Sequence, residues 1–365
     1  MKIFIIHASA GFGHKKIAES IYESAVDIYD KKNVFLLDVL DYTPNFFRFL
    51  YSKGYIFIIS NMKWLWSILF FLADTKYLRL INGNFRRFIS KLFCYKFLDF
   101  IKSEQPDVII STHFLVNELV SYLKGKEQIK TRIISVVTDF GVHSFWLAKN
   151  IDTYVAACDR TKEILISEQI DSEKIEVLGI PIRKQFQRQI DKDAVRKKLG
   201  INTGGFTSLI LSGGIGIGPI YQIVNLLSKE INVIVICGNN EKLFFRLKKL
   251  NNSNLVVLGW IDYVQEVMAV CDVVVTKPGG STISECLVMD LPMIFFSIIP
   301  GQELQNARII TQHGLGFIPK NPKKIKEKIL SLRDNTGEIT AIKNKISVFR
   351  QTDSSRRVLE LIERR

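Results

Sequence analysis

FTSLILSGGIGIG, residues 206–218, is an apolar strand that runs directly into four glycines, Gly213, Gly214, Gly216 and Gly218, before Pro219-Ile220 opens a helical pattern. It decides the fold because it restarts a pattern that has already run once. Upstream lie MKIFII at the start, NVFLLDVL (33–40), PDVIIST (106–112), RIISVVTD (132–139), TYVAAC (153–158) and KIEVLGIP (174–181). Downstream come NVIVICG (232–238), NLVVLGW (254–260), CDVVVTKPGG (271–280) and PMIFFS (292–297). Nearly continuous apolar runs separated by helical stretches indicate parallel sheets covered on both faces. Residues 15–30 supply one such helix, with Ala18, Ile21, Tyr22, Ala25, Ile28 and Tyr29 on one face. The fold class is therefore α/β, with two Rossmann-like doubly wound domains. Their expected bounds are 1–182 and 195–339, joined through the charged stretch 183–200. In this architecture ligands bind at the carboxyl ends of the strands, so two such domains are expected to face one another across a cleft.

Composition narrows the function. A chain of 365 residues with 47% apolar residues can fill two ordinary cores, which excludes global disorder. The five cysteines, Cys94, Cys158, Cys237, Cys271 and Cys286, show no C-x-x-C spacing and read as reduced core residues, not a zinc site. The N-terminus opens straight into a strand, with no secretory signal pattern. A net charge of +14 favours an anionic partner. Over half of that excess sits in residues 43–102, with ten Lys/Arg against Asp74 and Asp99, alongside seventeen of the forty aromatics. Cations interleaved with Trp, Phe and Tyr suit an anionic lipid surface, where each cation adds about 1 kcal/mol. The apolar run 55–72 carries Asn61 and Lys63 in its middle, and a charge at bilayer centre costs about 3 kcal/mol, so it reads as surface-lying or core, not spanning. No nucleic-acid motif is present.

Five further stretches carry chemistry. HASAGFGH (7–14) is a glycine turn that ends in His14 where a nucleotide loop would place lysine or glycine. VVTDFGVHSFW (136–146) places Asp139, His143 and Trp146 just past a strand end. The 213–218 glycines fail the G-x-G-x-x-G pattern, but backbone N–H groups at a helix start attract phosphate. TKPGGSTISE (276–285) gives a second such turn, with Ser281 and Thr282 placed to cap the next helix and Glu285 one turn inside. Glu285 suits either a ribose or a capping-box contact. PGQELQNA (300–307) sets Gln302 and Glu303 in a glycine turn, where an amide and a carboxylate suit vicinal sugar hydroxyls.

Taken in order, HASAGFGH, VVTDFGVHSFW, LGIPIRKQF (178–186), GGIGIGPI, TKPGGSTISE and PGQELQNA resemble the monogalactosyldiacylglycerol synthase family, which includes the bacterial processive diacylglycerol glucosyltransferases. That family is related to the N-acetylglucosaminyltransferase of the lipid-linked peptidoglycan precursor. The likeness spans about residues 1–320 and is weakest over 43–102.

The resemblance implies a GT-B fold and an inverting transfer of glucose or galactose from a UDP-sugar to a diacylglycerol-type lipid, with no metal or other cofactor. By the same likeness Gly213, Gly214, Gly216 and Gly218 lie near the diphosphate, and Gly279, Gly280, Ser281 and Thr282 form the second phosphate-side turn. Glu285 holds ribose, Trp260 and Ile261 contact uracil, and Gln302 and Glu303 contact the donor sugar. His14 is the candidate base, and Asp139 is a second candidate, as base or as the group orienting a histidine. Gly13, His143 and Trp146 are expected on the acceptor side, with Trp64, Trp66, Arg86, Arg87 and Lys91 at the membrane. Ile215 and Ile217 depart from the usual residues between the glycines, and Phe12 replaces a common glycine. Residues 340–365 are expected to return to the first domain. The expected location is peripheral, on the cytoplasmic face of the cell membrane. A polyisoprenyl acceptor and a UDP-sugar epimerase on the same fold are the competing readings.

Overall fold

The computed structural model describes residues 1–9, 12–54, 57–58, 62, 88–201, 204–211 and 218–364. The chain divides into two compact units: unit 1 holds Met1–Lys184, Ile299–Gln305 and Gln351–Arg365, and unit 2 holds Gln185–Ile298 and Asn306–Arg350.

Unit 1 is built on strands β1 (Ile3–His7), β2 (Val34–Asp38), β3 (Val108–Ser111), β4 (Arg132–Val136), β5 (Thr153–Ala156) and β6 (Ile175–Val177). They form one parallel sheet in the order β2-β1-β3-β4-β5-β6. β1 is buried along its whole length, as expected for a strand covered on both faces. The helices are α1 (Phe12–Ile28), α2 (Asn45–Phe49), α3 (Tyr95–Glu104), α4 (Phe114–Gly125) and α5 (Asp159–Ser167). α1 buries Ile17, Ala18, Ile21 and Ala25, whereas Ile28, expected on the same face, is 50% exposed at the helix end. Strand order reverses between β1 and β3. Such a switch point splits the loops above adjacent strand ends and leaves a crevice for ligands.

Unit 2 opens on α6 (Lys192–Leu199), followed by β7 (Thr207–Leu211), α7 (Ile220–Leu227), β8 (Asn232–Ile236), α8 (Glu241–Lys248) and β9 (Leu255–Leu258). α9 (Val264–Ala269), β10 (Val273–Thr276), α10 (Gly280–Val288), β11 (Met293–Phe295), α11 (Gln302–Gln312), whose residues up to Gln305 count with unit 1, and β12 (Gly316–Phe317) come next. α12 (Pro322–Asp334) and α13 (Thr336–Phe349) complete the unit, and α14 (Ser354–Glu360) belongs to unit 1. The parallel sheet runs β12-β11-β10-β7-β8-β9, the dinucleotide-fold order, with its switch between β7 and β10. The two glycine turns singled out in the sequence follow these two strands.

The return to unit 1 starts at Gln351, later than the expected residue 340. α13 stays in unit 2 because Ile342 and Ile346 are buried there and Arg350 pairs with Asp290 at 2.6 Å. α14 then packs on α1, with Ser355 Oγ 3.4 Å from Ser20 Oγ. Gly179 permits this: its φ is +80°, and a Cβ there would lie 2.5 Å from that of Gln351.

Candidate active site

In unit 1 the site forms where β1, β3 and β4 end. His14 stands in the first turn of α1, half-buried. Its Nδ1 donates to the Thr112 carbonyl at 2.8 Å, and Thr138 Oγ1 lies 3.0 Å from the same nitrogen. The Thr112 hydroxyl in turn donates to the His14 carbonyl at 3.1 Å, so the residue is clamped at side chain and backbone. Desolvation pushes the His14 pKa down from 6.5 to about 4; the Thr112 bond partly offsets this, and the neighbouring His7 adds to it.

Two more histidines border His14. His113 caps α4, its Nδ1 accepting the Leu115 N–H at 3.1 Å, and its ring meets that of His14 edge-on at 4.5 Å. Burial drives its pKa well below 6.5, with His14, His143 and His7 adding to the effect. His143 caps the short turn Ser144–Trp146 by accepting the Phe145 N–H at 3.2 Å. The Gln302 amide lies 2.5 Å from His143 Nε2 and 3.4 Å from Asp139 Oδ2. Glu303 accepts the Ile299 N–H at 2.8 Å and so fixes the turn that carries Gln302.

His14, Asp139, His143, Gln302 and Glu303 therefore gather in unit 1, and Gly13 precedes His14 in the same turn. Trp146 is also there, but it is 0% exposed and packs on His14, His143 and Phe114. Packed against the two histidine rings and fully buried, it has no surface to offer an acceptor, contrary to the expectation for it. Lys91 is half-buried with its ammonium 3.8 Å over the Tyr122 ring. Trp64, Trp66, Arg86 and Arg87 lie outside the described residues. Sequence reasoning missed His113, Thr112 and Thr138. They sit at the ends of apolar runs, a position that becomes informative only when β3 and β4 are known to follow β1 across the sheet.

In unit 2, α10 begins one residue before the expected cap. Gly279 is the N-cap (φ −75°, ψ 141°) with no side-chain bond, so Ser281 and Thr282 lie inside the first turn and do not cap it. The leading N–H groups of Gly280, Ser281 and Thr282 thus have no intrahelical acceptor, the arrangement that attracts an anion. Glu285, one turn further, is 6% exposed. Asn306 donates to the Pro278 carbonyl at 3.1 Å and braces the turn from α11. Gly218, after β7, has φ +131°, and a Cβ there would lie 2.6 Å from Ser297 Oγ. Only glycine fits. Gly213, Gly214 and Gly216 lie outside the described residues. Past β9, Trp260 is 62% exposed and Ile261 half-buried. The single Asp-x-Asp triplet of the chain, Asp191 to Asp193, serves a helix start: Asp191 caps α6 through the Asp193 and Ala194 N–H groups.

Residues 14–182 match the monogalactosyldiacylglycerol synthase domain, and residues 216–357 match the glycosyltransferase family 28 C-terminal domain. Over 373 residues the chain is 30% identical to the processive diacylglycerol beta-glucosyltransferase of Staphylococcus haemolyticus, covering 98% of this chain and 91% of that one. The chain belongs to the diacylglycerol glycosyltransferase family. A second diacylglycerol glycosyltransferase relative, the processive diacylglycerol beta-glucosyltransferase of Bacillus subtilis, is 27% identical over 377 residues, 98% of this chain and 94% of its own. Among solved structures, MurG of Acinetobacter baumannii superposes with a TM-score of 0.61 at 12% identity over 100% of both chains. HepE of Anabaena in complex with UDP-glucose gives 0.58 at 12% over 99% of both. The UDP-GlcNAc 2-epimerase of Neisseria meningitidis gives 0.60 at 13% over 100% of both. These place the family member in the GT-B fold, with two Rossmann-like domains. The fold is shared by transferases and an epimerase, so it is the sequence relatives that set the family.

Proposed function

We propose that this protein is an inverting hexosyltransferase that moves glucose or galactose from a UDP-sugar to a diacylglycerol-type lipid at an anionic membrane surface. The observation that carries the reading is His14. It is a histidine kept neutral, held in the first turn of α1 by residues just past β3 and β4, in a family whose relatives are named diacylglycerol glucosyltransferases.

Unit 2 holds the donor in this reading. The first-turn N–H groups of α10 and the Gly218 turn meet the diphosphate, Glu285 accepts from the ribose hydroxyls, and Trp260-Ile261 border the base. Unit 1 supplies the base and the acceptor side, with Gln302 and Glu303 toward the sugar. The lipid hydroxyl attacks C1 from the face opposite UDP and gives its proton to His14 Nε2. The C1–O bond to UDP breaks, and the diphosphate takes the electron pair. Developing charge there is stabilised by the helix dipole and the backbone donors. No step is assigned to a metal ion.

A base with a pKa of about 4 is unprotonated well below neutrality. kcat/KM should therefore stay flat from neutral pH down to about pH 5, whereas a histidine at the ordinary 6.5 would have lost half its activity at that value. A half-loss near 6.5 in a pH-rate profile would remove His14 as the base. The stability sign is related. The folded pKa lies below the unfolded one, so this contribution is complete above 6.5 and is lost as pH falls toward 4.

The membrane reading rests on an apolar face. Among the described residues, Phe46, Phe49, Leu50, Phe57, Phe88, Leu92 and Tyr95 are each at least half exposed, seven of fifteen exposed large apolar side chains in one stretch of chain. Phe47 stacks on Phe93 at 4.8 Å and so joins α2 to the helical residues 88–93, which brings several of these side chains together. Exposed Arg48 and Lys96 border them. A Phe46→Ser/Phe49→Ser/Leu92→Ser variant should bind anionic vesicles at least about tenfold more weakly in a sedimentation assay, given roughly 1.5–3 kcal/mol for each large apolar side chain buried. Unchanged binding would remove this face as the membrane contact. Among the described residues no helix is long and apolar enough to cross a membrane.

A further inference from the structure

Three of the four histidines of unit 1, His14, His113 and His143, differ in what their Nδ1 meets. For His14 it is the Thr112 carbonyl, at 2.8 Å. A carbonyl oxygen only accepts, so Nδ1 must carry the ring proton and Nε2 is the bare nitrogen. For His113 and His143 it is a backbone N–H, of Leu115 at 3.1 Å and of Phe145 at 3.2 Å. An N–H only donates, so in both rings Nδ1 is bare and the proton of the neutral ring sits on Nε2. The Gln302 Nε2 stands 2.5 Å from His143 Nε2, and two N–H groups cannot face each other at that distance, so with this tautomer the amide is exchanged end for end and its 3.4 Å bond to Asp139 Oδ2 is given up.

We propose that the site is built on opposed tautomers. Of these three, His14 alone presents a basic Nε2, His113 and His143 present N–H donors, and Thr138 is the positioning residue that holds the His14 ring on the Thr112 carbonyl. This rests on the transferase reading for its catalytic meaning, but the tautomers stand on geometry alone. Thr138 is 4% exposed and reaches His14 from just past β4, while the carbonyl comes from just past β3, so the ends of two strands hold one nitrogen. The backbone makes the choice in all three cases. It separates one base from two donors of the same residue type within a single packed group, in which His14 lies 4.5 Å from His113.

The test is nitrogen NMR of the full-length protein labelled with 15N-histidine, with signals assigned by the spectra of His14→Gln, His113→Asn and His143→Asn. The expected result is a protonated Nδ1 and bare Nε2 for His14, and the reverse for His113 and His143. A protonated Nε2 on His14, or one tautomer shared by all three, overturns the proposal. In parallel, Thr138→Val should lower kcat about tenfold with the KM for UDP-sugar unchanged, and Thr138→Ser should restore it to within about twofold. A wild-type kcat in Thr138→Val overturns the positioning role. The NMR reads tautomers whatever reaction is catalysed. Opposed tautomers in a protein that glycosylates no lipid would sink the transferase reading and keep this one, and matching tautomers in an active enzyme would do the reverse.

Discussion

His14→Asn should lower kcat for transfer from UDP-sugar to diacylglycerol by about 10²–10⁴-fold while leaving UDP affinity unchanged. Asparagine is the informative replacement because its side-chain NH₂ stands where Nδ1 stood and can keep the bond to the Thr112 carbonyl. What it removes is Nε2. His14→Ala removes both and leaves the carbonyl without its partner, adding about 1–3 kcal/mol of local cost and mixing a structural effect with the chemical one. Matching losses in the two variants would locate the effect at Nε2. UDP binding, measured by calorimetry, reports on residues assigned to unit 2 and should not move. If His14→Asn turned over at near the wild-type rate, the base would pass to Asp139, and Asp139→Asn would be the variant that stops the reaction.

The second large effect concerns Glu285. On the proposed ribose role, removing the Glu285 carboxylate should raise the KM for UDP-sugar by about 10²-fold, since bonds to a charged acceptor contribute about 1.5–3 kcal/mol each. Glu285→Gln keeps the volume of a side chain that is only 6% exposed, which separates binding from packing. Comparing UDP with 2′-deoxy-UDP sharpens the measurement. Wild type should discriminate against the deoxy ligand, and Glu285→Gln should not. Equal affinity of the wild type for both nucleotides would end the ribose assignment and leave Glu285 with a role inside its own helix. The neighbouring Cys286 thiol, pushed well up by burial and by the Glu285 charge, has no part in either outcome.

The sheets were legible because a strand covered on both faces must be apolar along its length, and Ile3–Ile6 or Val273–Val275 leave no other reading. Their order was not legible. Which strand lies beside β1 depends on how crossovers pack, and that order is what places His113 against His14. Local chemistry also misled at two points. Ser281-Thr282 has the residue types of an N-cap, but Gly279 already adopts the extended cap conformation, so the helix starts earlier. Trp146, just past a strand end, invites a place on the acceptor side, yet it is fully buried against three other rings. Residue type alone carries no information about depth.

The Gln351–Arg365 segment has a consequence for how the molecule is made. It counts with unit 1, and its helix α14 lies along α1, with Val358 and Leu359 buried and Arg357 donating to the Val177 carbonyl at 3.3 Å. All of unit 2 is synthesised between the bulk of unit 1 and this strip, with Ile299–Gln305 the one short piece of unit 1 made in its midst. A ribosome would therefore finish unit 2 while the helix that carries His14 still lacked its outer cover. α1 gains this cover only once Gln351–Arg365 has been made, so a chain halted at Arg350 would damage unit 1 and not the unit in which it stops.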